Sequence, residues 1–352
     1  MEHRIGLIGC GGIAGTWTQA VAQHPDCRIL LTFDLDPAAA ARRAAEAGAR
    51  PARDLDELLA AGEVDLVIIA TPTPSHPELA ARAARAGKHV LCEKPMALSL
   101  EQCQGMVDDC RSAGVELAIG HSLRFWGAFL TCRRLVAEGA IGVPVSGSID
   151  RLGAAGLQRR APAGAAPANP HWRSQVSDSG GLVLEGFVHE IDFTRAIFGE
   201  VAGVSCRIAG EQEYEGVLSP QIVQALVEFE SGALVTMRTG GTVAMPTMGY
   251  WMAGTEGGLR FTQWGGPVEH YRHDLSEKRL VSCASTSAYY LELCDLLKAV
   301  EQGGELENSP LNGKKNVALG LGMYRACETG RHLRYSQGLP VEMAADYRNT
   351  RW

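Results

Sequence analysis

The sequence predicts an α/β chain, with a doubly wound parallel sheet at the N-terminus and an α+β domain after it. Three observations predict this. Over the first 120 residues, short continuous apolar runs alternate with stretches of helical period, the pattern of a buried parallel sheet with helices on both faces. The first apolar run ends in a glycine-rich turn, Gly9-x-Gly11-x-x-Ala14, that opens a helix. After about residue 122, strand-like runs follow one another without intervening helices, which predicts a largely antiparallel sheet. A length of 352 residues suits two domains, expected at residues 1–122 and 123–352.

In the first domain the predicted strands are Ile5–Ile8, Arg28–Phe33, Asp65–Ala70, His89–Cys92 and Val115–Ile119. The predicted helices between them are Ile13–His24, Pro37–Gly48, Asp54–Ala61, His76–Gly87 and Ser99–Gly114. The second domain opens with a helix, Phe125–Gly139, and a strand, Val143–Arg151. A long loop rich in Ala, Gly and Pro, Gly153–Pro170, is expected to be a lid or disordered. A helix from Gly181 to Phe198 precedes strands at Val201–Ala209, Gln221–Glu230, Ala233–Thr239, Met248–Ala253 and Val268–Asp274. Helices at Ser287–Gln302 and Gly313–Tyr335 close the chain.

Composition narrows the function. Apolar residues make up 46% of the chain, enough for a substantial core. A net charge of −7 argues against a nucleic-acid partner, which needs a basic face. No window has the apolar length of a membrane span. The N-terminus runs straight into a predicted strand, so no signal peptide is expected. The ten cysteines form no CxxC pair, so reduced thiols and a cytoplasmic location are expected.

The glycine turn carries the cofactor expectation. Gly9 allows the tight turn, Gly11 lets a pyrophosphate approach the backbone, and Ala14 lets helix and strand pack. The N–H groups of Gly12 and Ile13 open the helix as an anion site. Asp34 ends the second strand 20 residues after Ala14, where an acid binds the ribose hydroxyls and repels a 2′-phosphate. NAD is therefore expected over NADP. Asp34 also suits a plain turn in Asp-x-Asp-Pro, and the two roles are compatible.

Ligands of such sheets bind beyond the C-terminal strand ends. Thr71, Pro72 and His76 follow one strand there, and Glu93 and Lys94 follow the next. Pro95 restricts the backbone of Lys94 to extended conformations. His121 and Arg124 follow the last strand, and Trp172 and Arg173 close the long loop behind His171. Glu185, His189 and Asp192 fall at i, i+4 and i+7 of an otherwise apolar helix, and so share a face. A carboxylate one turn from a histidine can orient the ring for proton transfer. The alternatives are a surface Glu-Lys pair, a solvated polar face and a metal site, the last thinly supported by one histidine and two carboxylates. His270 and His273 read as solvated surface.

Together these motifs resemble the glucose-fructose oxidoreductase, inositol dehydrogenase and rhizopine-catabolism (Gfo/Idh/MocA) family of NAD(P)-dependent oxidoreductases. The resemblance rests on GCGGIA, TPTPSH, EKP, RF, WR, the GG…H..D helix and the closing ALGLGMYRACETGRHLRYSQGLPVEM. It implies an N-terminal Rossmann domain, a C-terminal domain on a large open, mostly antiparallel sheet, and a helix at about 313–335 returning toward the Rossmann domain. It implies a dehydrogenase for a secondary alcohol of a sugar, cyclitol or related polyol, and the acidic residues Asp178, Glu185, Glu190 and Asp192 add an aminosugar to the expected substrates. Lys94 matches the lysine that binds the reacting oxygen, and His189 the histidine that takes its proton. Glu185 stands in place of the usual aspartate, Phe187 of a glycine, Thr73 of an asparagine and Trp17 of a histidine. His121, Arg124, Trp172, Arg173, Glu185 and His189 are the expected substrate contacts. Three other uses of the fold compete: a non-enzymatic NAD-binding sensor, an NAD-dependent glycosidase, and a sugar–sugar oxidoreductase with recycled cofactor. An open sheet leaves one face to bury, so a homodimer or homotetramer is expected.

Overall fold

The computed structural model describes residues 2–153, 172–214, 217–241, 247–273 and 278–352. The expected lid, from residue 154 on, His171 and the end of the strand expected to reach Asp274 lie outside them. The chain divides into two units, Met1–Phe125 with Thr286–Lys314, and Trp126–Ser285 with Lys315–Trp352.

The first unit alternates strand and helix: β1 (His3–Ile8), α1 (Gly12–Ala22), β2 (Cys27–Phe33), α2 (Pro37–Ala47), β3 (Arg50–Pro51) and α3 (Leu55–Ala60). It continues with β4 (Leu66–Ile69), α4 (His76–Arg85), β5 (His89–Glu93), α5 (Leu100–Ala113) and β6 (Leu117–Gly120). The sheet order is β3-β2-β1-β4-β5-β6, with every pairing parallel. Local chemistry sets the helix ends. Asp36 caps α2 by accepting the Ala38 N–H at 2.9 Å, Pro37 preorganises its first turn, and Gly48 ends it at φ 65°. Ser99 caps α5 through the Gln102 N–H, and Gly114 ends it at φ 68°.

In the second unit, α6 (Gly127–Ala137) and β7 (Pro144–Leu152) precede the short helix α7 (Val176–Ser179). The helix expected over Gly181–Phe198 is instead a π-helical turn, Val183–Phe187, running into α8 (Val188–Phe198). The strands are β8 (Val201–Tyr214), β9 (Val217–Phe229), β10 (Leu234–Gly240), β11 (Thr247–Gly254), β12 (Gly257–Phe261), β13 (Val268–Arg272) and β14 (Lys278–Val281). After the helices α9 (Ala288–Gln302) and α10 (Pro310–Thr329) come β15 (Leu333–Ser336) and β16 (Leu339–Pro340). The sheet order is β14-β13-β12-β11-β7-β10-β9-β8-β15-β16, antiparallel except between β7 and β10. Strands β12 and β14 were not expected. The final helix stops at Thr329 rather than running to Tyr335, because Gly330 takes φ 68° and the chain re-enters the sheet as β15. His270 is not simply solvated, since its Nε2 lies 3.0 Å from the Ala140 carbonyl oxygen.

Each unit has its own core. In the first, Trp17, Leu66, Ile68, Leu91 and Ala118 pack with Leu293, Leu296 and Leu297 of α9. Expected in the second domain, Thr286–Lys314 therefore packs with the first unit. The boundary falls inside α10, between Lys314 and Lys315. In the second unit the Phe129 ring meets Phe193 edge-on at 4.4 Å and Phe261 at 5.2 Å, while Phe261 stacks on Tyr250 at 4.5 Å. Such contacts add to area burial. Truncating Phe129, which is fully buried, should lower stability by about 3–5 kcal/mol. Urea denaturation of Phe129→Ala checks this, and a loss under about 1 kcal/mol would contradict the packing described.

Candidate active site

In the first unit the parallel strands deliver the expected cofactor residues to one edge of the sheet. Gly9 follows β1 at φ 89°, and a Cβ there would lie 2.6 Å from the Ala70 carbonyl oxygen, so only glycine fits. Gly11 and Gly12 have open space where a Cβ would stand. No side chain caps α1, and its first turn holds no acid. The N–H groups there are thus placed for an anion. Asp34 accepts the Cys10 N–H at 2.7 Å on one carboxylate oxygen and the Asp36 N–H at 2.9 Å on the other. It therefore holds the glycine turn. Burial, with Asp34 adding to it, pushes the Cys10 thiol up to about 12, so it stays protonated. These features fit a dinucleotide.

Two contacts here carry no sequence motif. Arg43 donates to the Gly11 carbonyl at 3.1 Å and packs against Gly15. The Trp17 indole N–H donates to Glu93 at 2.8 Å, with both side chains buried. The second Glu93 oxygen accepts the Lys94 backbone N–H at 3.2 Å. Trp17 thus tethers the end of β5 to the helix of the glycine turn, and its ring sits edge-on to Tyr289 at 5.0 Å. The Lys94–Pro95 peptide is cis.

His76 is fully buried, with Nδ1 3.0 Å from the Pro95 carbonyl oxygen and Nε2 2.9 Å from that of Thr71. A neutral ring donates to one of these, and a protonated ring to both. Burial, the largest influence, lowers the His76 pKa against the pull of the carbonyls. Its nitrogens join the loops after β4 and β5 rather than projecting from them. Thr71 bonds Ser75 side chain to side chain at 2.7 Å, and Pro72 is exposed beside it. His121 and Arg124 are buried within the first unit, and Arg124 lies 3.6 Å from Glu307.

In the second unit, Trp172, Arg173 and Glu185 come together. Arg173 lies over the Trp172 ring at 4.9 Å and donates to Glu185 at 2.8 Å. Glu185 sits in the π-turn and His189 in the first turn of α8, both half-buried. Such turns are frequent at functional sites. Phe187 is buried in the core. Asp192 is buried and bonded at 2.8 Å to Asn316, which in turn accepts from Arg195 at 2.7 Å. Among the described residues, no group of three or more His, Cys, Asp or Glu side chains is arranged to hold a metal.

Two family models match the chain. One is an oxidoreductase family with an NAD-binding Rossmann fold, over residues 3–121. The other is the Gfo/Idh/MocA C-terminal domain, over residues 129–260. The chain is similar to 2,7-anhydro-N-acetylneuraminate hydratase of Escherichia coli (strain K12), 29% identical over 285 residues, 78% of this chain and 73% of that protein. It is similar to 1,5-anhydro-D-fructose reductase of Ensifer adhaerens, 29% identical over 348 residues, 96% of this chain and 100% of that protein. The crystal structure of aldose-aldose oxidoreductase from Caulobacter crescentus superposes with a TM-score of 0.83 at 22% identity, covering 95% of this chain and 100% of that one.

The Trp17–Glu93 bond gives a direct test. Trp17→Phe keeps a ring in the core but leaves a buried carboxylate without that donor, which should cost about 1–3 kcal/mol. Thermal unfolding of the purified variant checks this, and an unchanged midpoint would show that the bond holds nothing in place.

Proposed function

The chain belongs to the Gfo/Idh/MocA family of NAD-binding oxidoreductases, which act on CH–OH groups, and from that premise we propose that it is a dehydrogenase of a secondary alcohol on a sugar, cyclitol or aminosugar. The observation that carries this is the anchored Lys94 turn. Glu93, fixed by Trp17 on the helix of the glycine turn, accepts the Lys94 N–H, so the lysine leaves the sheet at a set point beside the cofactor residues of the same unit.

Gly9, Gly11, Gly12 and Ile13 hold the pyrophosphate, and Asp34 the adenosine ribose, which favours NAD over NADP. Thr71, Pro72 and Glu93 border the nicotinamide half, and His76 holds that border in shape. When bound, NAD supplies a hydride acceptor at its nicotinamide ring. Lys94 donates a hydrogen bond to the reacting oxygen and lowers the cost of its developing negative charge. His189 accepts the hydroxyl proton, and in reduction returns it. Glu185 binds a neighbouring hydroxyl or orients His189, with Arg173 steadying its carboxylate. Trp172 borders the sugar. Because Arg173 and Arg151 are each paired with a glutamate, a neutral polyhydroxylated substrate suits this unit better than an acid. His121 and Arg124 act from within the first unit as supports of the strand end.

A second reading, with the cofactor reduced and reoxidised in one turnover, is favoured by the similarity to the Escherichia coli hydratase, since hydration changes no net oxidation level. It uses the same residues. Ten cysteines with no bond between them suit a cytoplasmic setting. No helix among the described residues is long and apolar enough to cross a membrane.

One face of the second unit's sheet carries Trp251, Ser148, Thr236 and Leu226 side by side, with Leu234 next to them. Trp251, Leu226 and Leu234 are exposed. A homodimer or homotetramer would cover them. Trp251→Arg should then lower the molar mass seen by light scattering, and an unchanged monomeric mass in both proteins would dismiss the assembly.

For the chemistry, Lys94→Ala and His189→Ala should each lower turnover by about 10²–10⁴-fold. Steady-state kinetics of the two variants check this. Near-full activity in both would overturn the assignment.

A further inference from the structure

We infer that Arg151 is a positioning residue that sets the register of the π-turn carrying Glu185 and leading into His189. The inference rests on the reading of His189 as proton acceptor. Arg151 stands near the end of β7, paired with Thr239 of β10 and Met248 of β11, so a sheet neighbour on each side fixes its backbone. Its guanidinium donates to the Gly186 carbonyl at 2.8 Å. A π-turn inserts an extra residue into the helical ladder, and a carbonyl displaced in this way needs a donor from outside the helix. Gly186 lies one residue after Glu185 and three before His189.

Arg151 is itself aimed by a closed set of contacts. It lies 3.1 Å from Glu190, which is fully buried on α8. Tyr250 donates its hydroxyl to Glu190 at 2.7 Å and accepts the Trp264 indole N–H at 3.0 Å. The guanidinium lies 5.0 Å from the centre of the Trp264 ring, which completes the circle. Burial pushes the Glu190 carboxyl up, and Arg151 and Tyr250 oppose the shift. A buried ion pair of this kind adds little stability over a well-packed apolar set. What it supplies is direction: the planar guanidinium meets a carbonyl and a carboxylate at once. Strand β7, the π-turn, α8 and β11 are thereby tied to one group.

The test needs no substrate. Histidine side-chain NMR spectra, with the His189 signals assigned by their loss in His189→Ala, are compared between the parent protein and Arg151→Met. Hydrogen exchange of peptides spanning residues 183–190 is measured on the same samples. The expected result is displaced His189 signals, unmoved His76 signals, and exchange at least roughly 10-fold faster in those peptides, as for loss of a charge-assisted hydrogen bond. Arg151→Lys, which keeps a donor, should return both toward the parent. If Arg151→Met does not fold, Glu190→Gln removes the charge that aims the guanidinium while keeping its shape, and should show the same two changes. Parent-like His189 signals and exchange in the folded variant would overturn the inference. Failure of the proton-acceptor reading would appear separately, as full turnover by His189→Ala.

Discussion

The first unit depends on one constraint. All six strands of its sheet are parallel, so their C-terminal ends come to a single edge, where the loops must hold one another. The contacts there are cross-links between loops far apart in sequence. Asp34 at the end of β2 bonds the turn after β1. Trp17, behind that turn, bonds Glu93 at the end of β5. His76 after β4 meets the carbonyl of Pro95 after β5. Gly120 closes the row, since a Cβ there would lie 3.1 Å from the Glu93 Cα. Each residue at this edge therefore has a structural duty alongside any duty to a ligand, and the placement of Lys94 follows from its neighbours.

The second unit places its polar residues by another device. Its helix α8 packs into an aromatic core, and of its ionisable groups Glu190, Asp192 and Arg195 are buried while His189 is half-buried. Glu190, Asp192 and Arg195 each have a polar partner there. Glu185, in the π-turn that opens the helix, and His189, just after it, keep partial exposure. The same sequence stripe is thus divided: one end is half-buried, and the other is fixed in the core.

Much of this was legible in the sequence. The glycine turn and Asp34 are local features, and each appears at the strand end where its spacing puts it. Trp172, Arg173 and Glu185 were each named among six expected substrate contacts, but their grouping through an Arg173–Glu185 ion pair was not expected. What was not legible depends on tertiary partners. An α-helix and a π-turn share nearly the same apolar pattern, so nothing local separates residues 183–187 from the helix that follows. Arg43 and Arg151 belong to no motif, and their importance lies in the carbonyls they meet. The apolar face of Leu293, Leu296 and Leu297 announces a buried helix but not which unit buries it. His76 stands at a strand end as a ligand contact would, and its bonding to the Pro95 and Thr71 carbonyls could not be read from its position.

The measurement closest to the central claim is NADH formation by the purified protein, given NAD and a panel of neutral polyols, cyclitols, sugars and aminosugars. The account predicts a steady rise in NADH absorbance with one of these classes, and a weaker response when NADP replaces NAD. A flat trace across the panel, with NAD binding shown by calorimetry and no NAD(H) released when the protein is denatured, would contradict it.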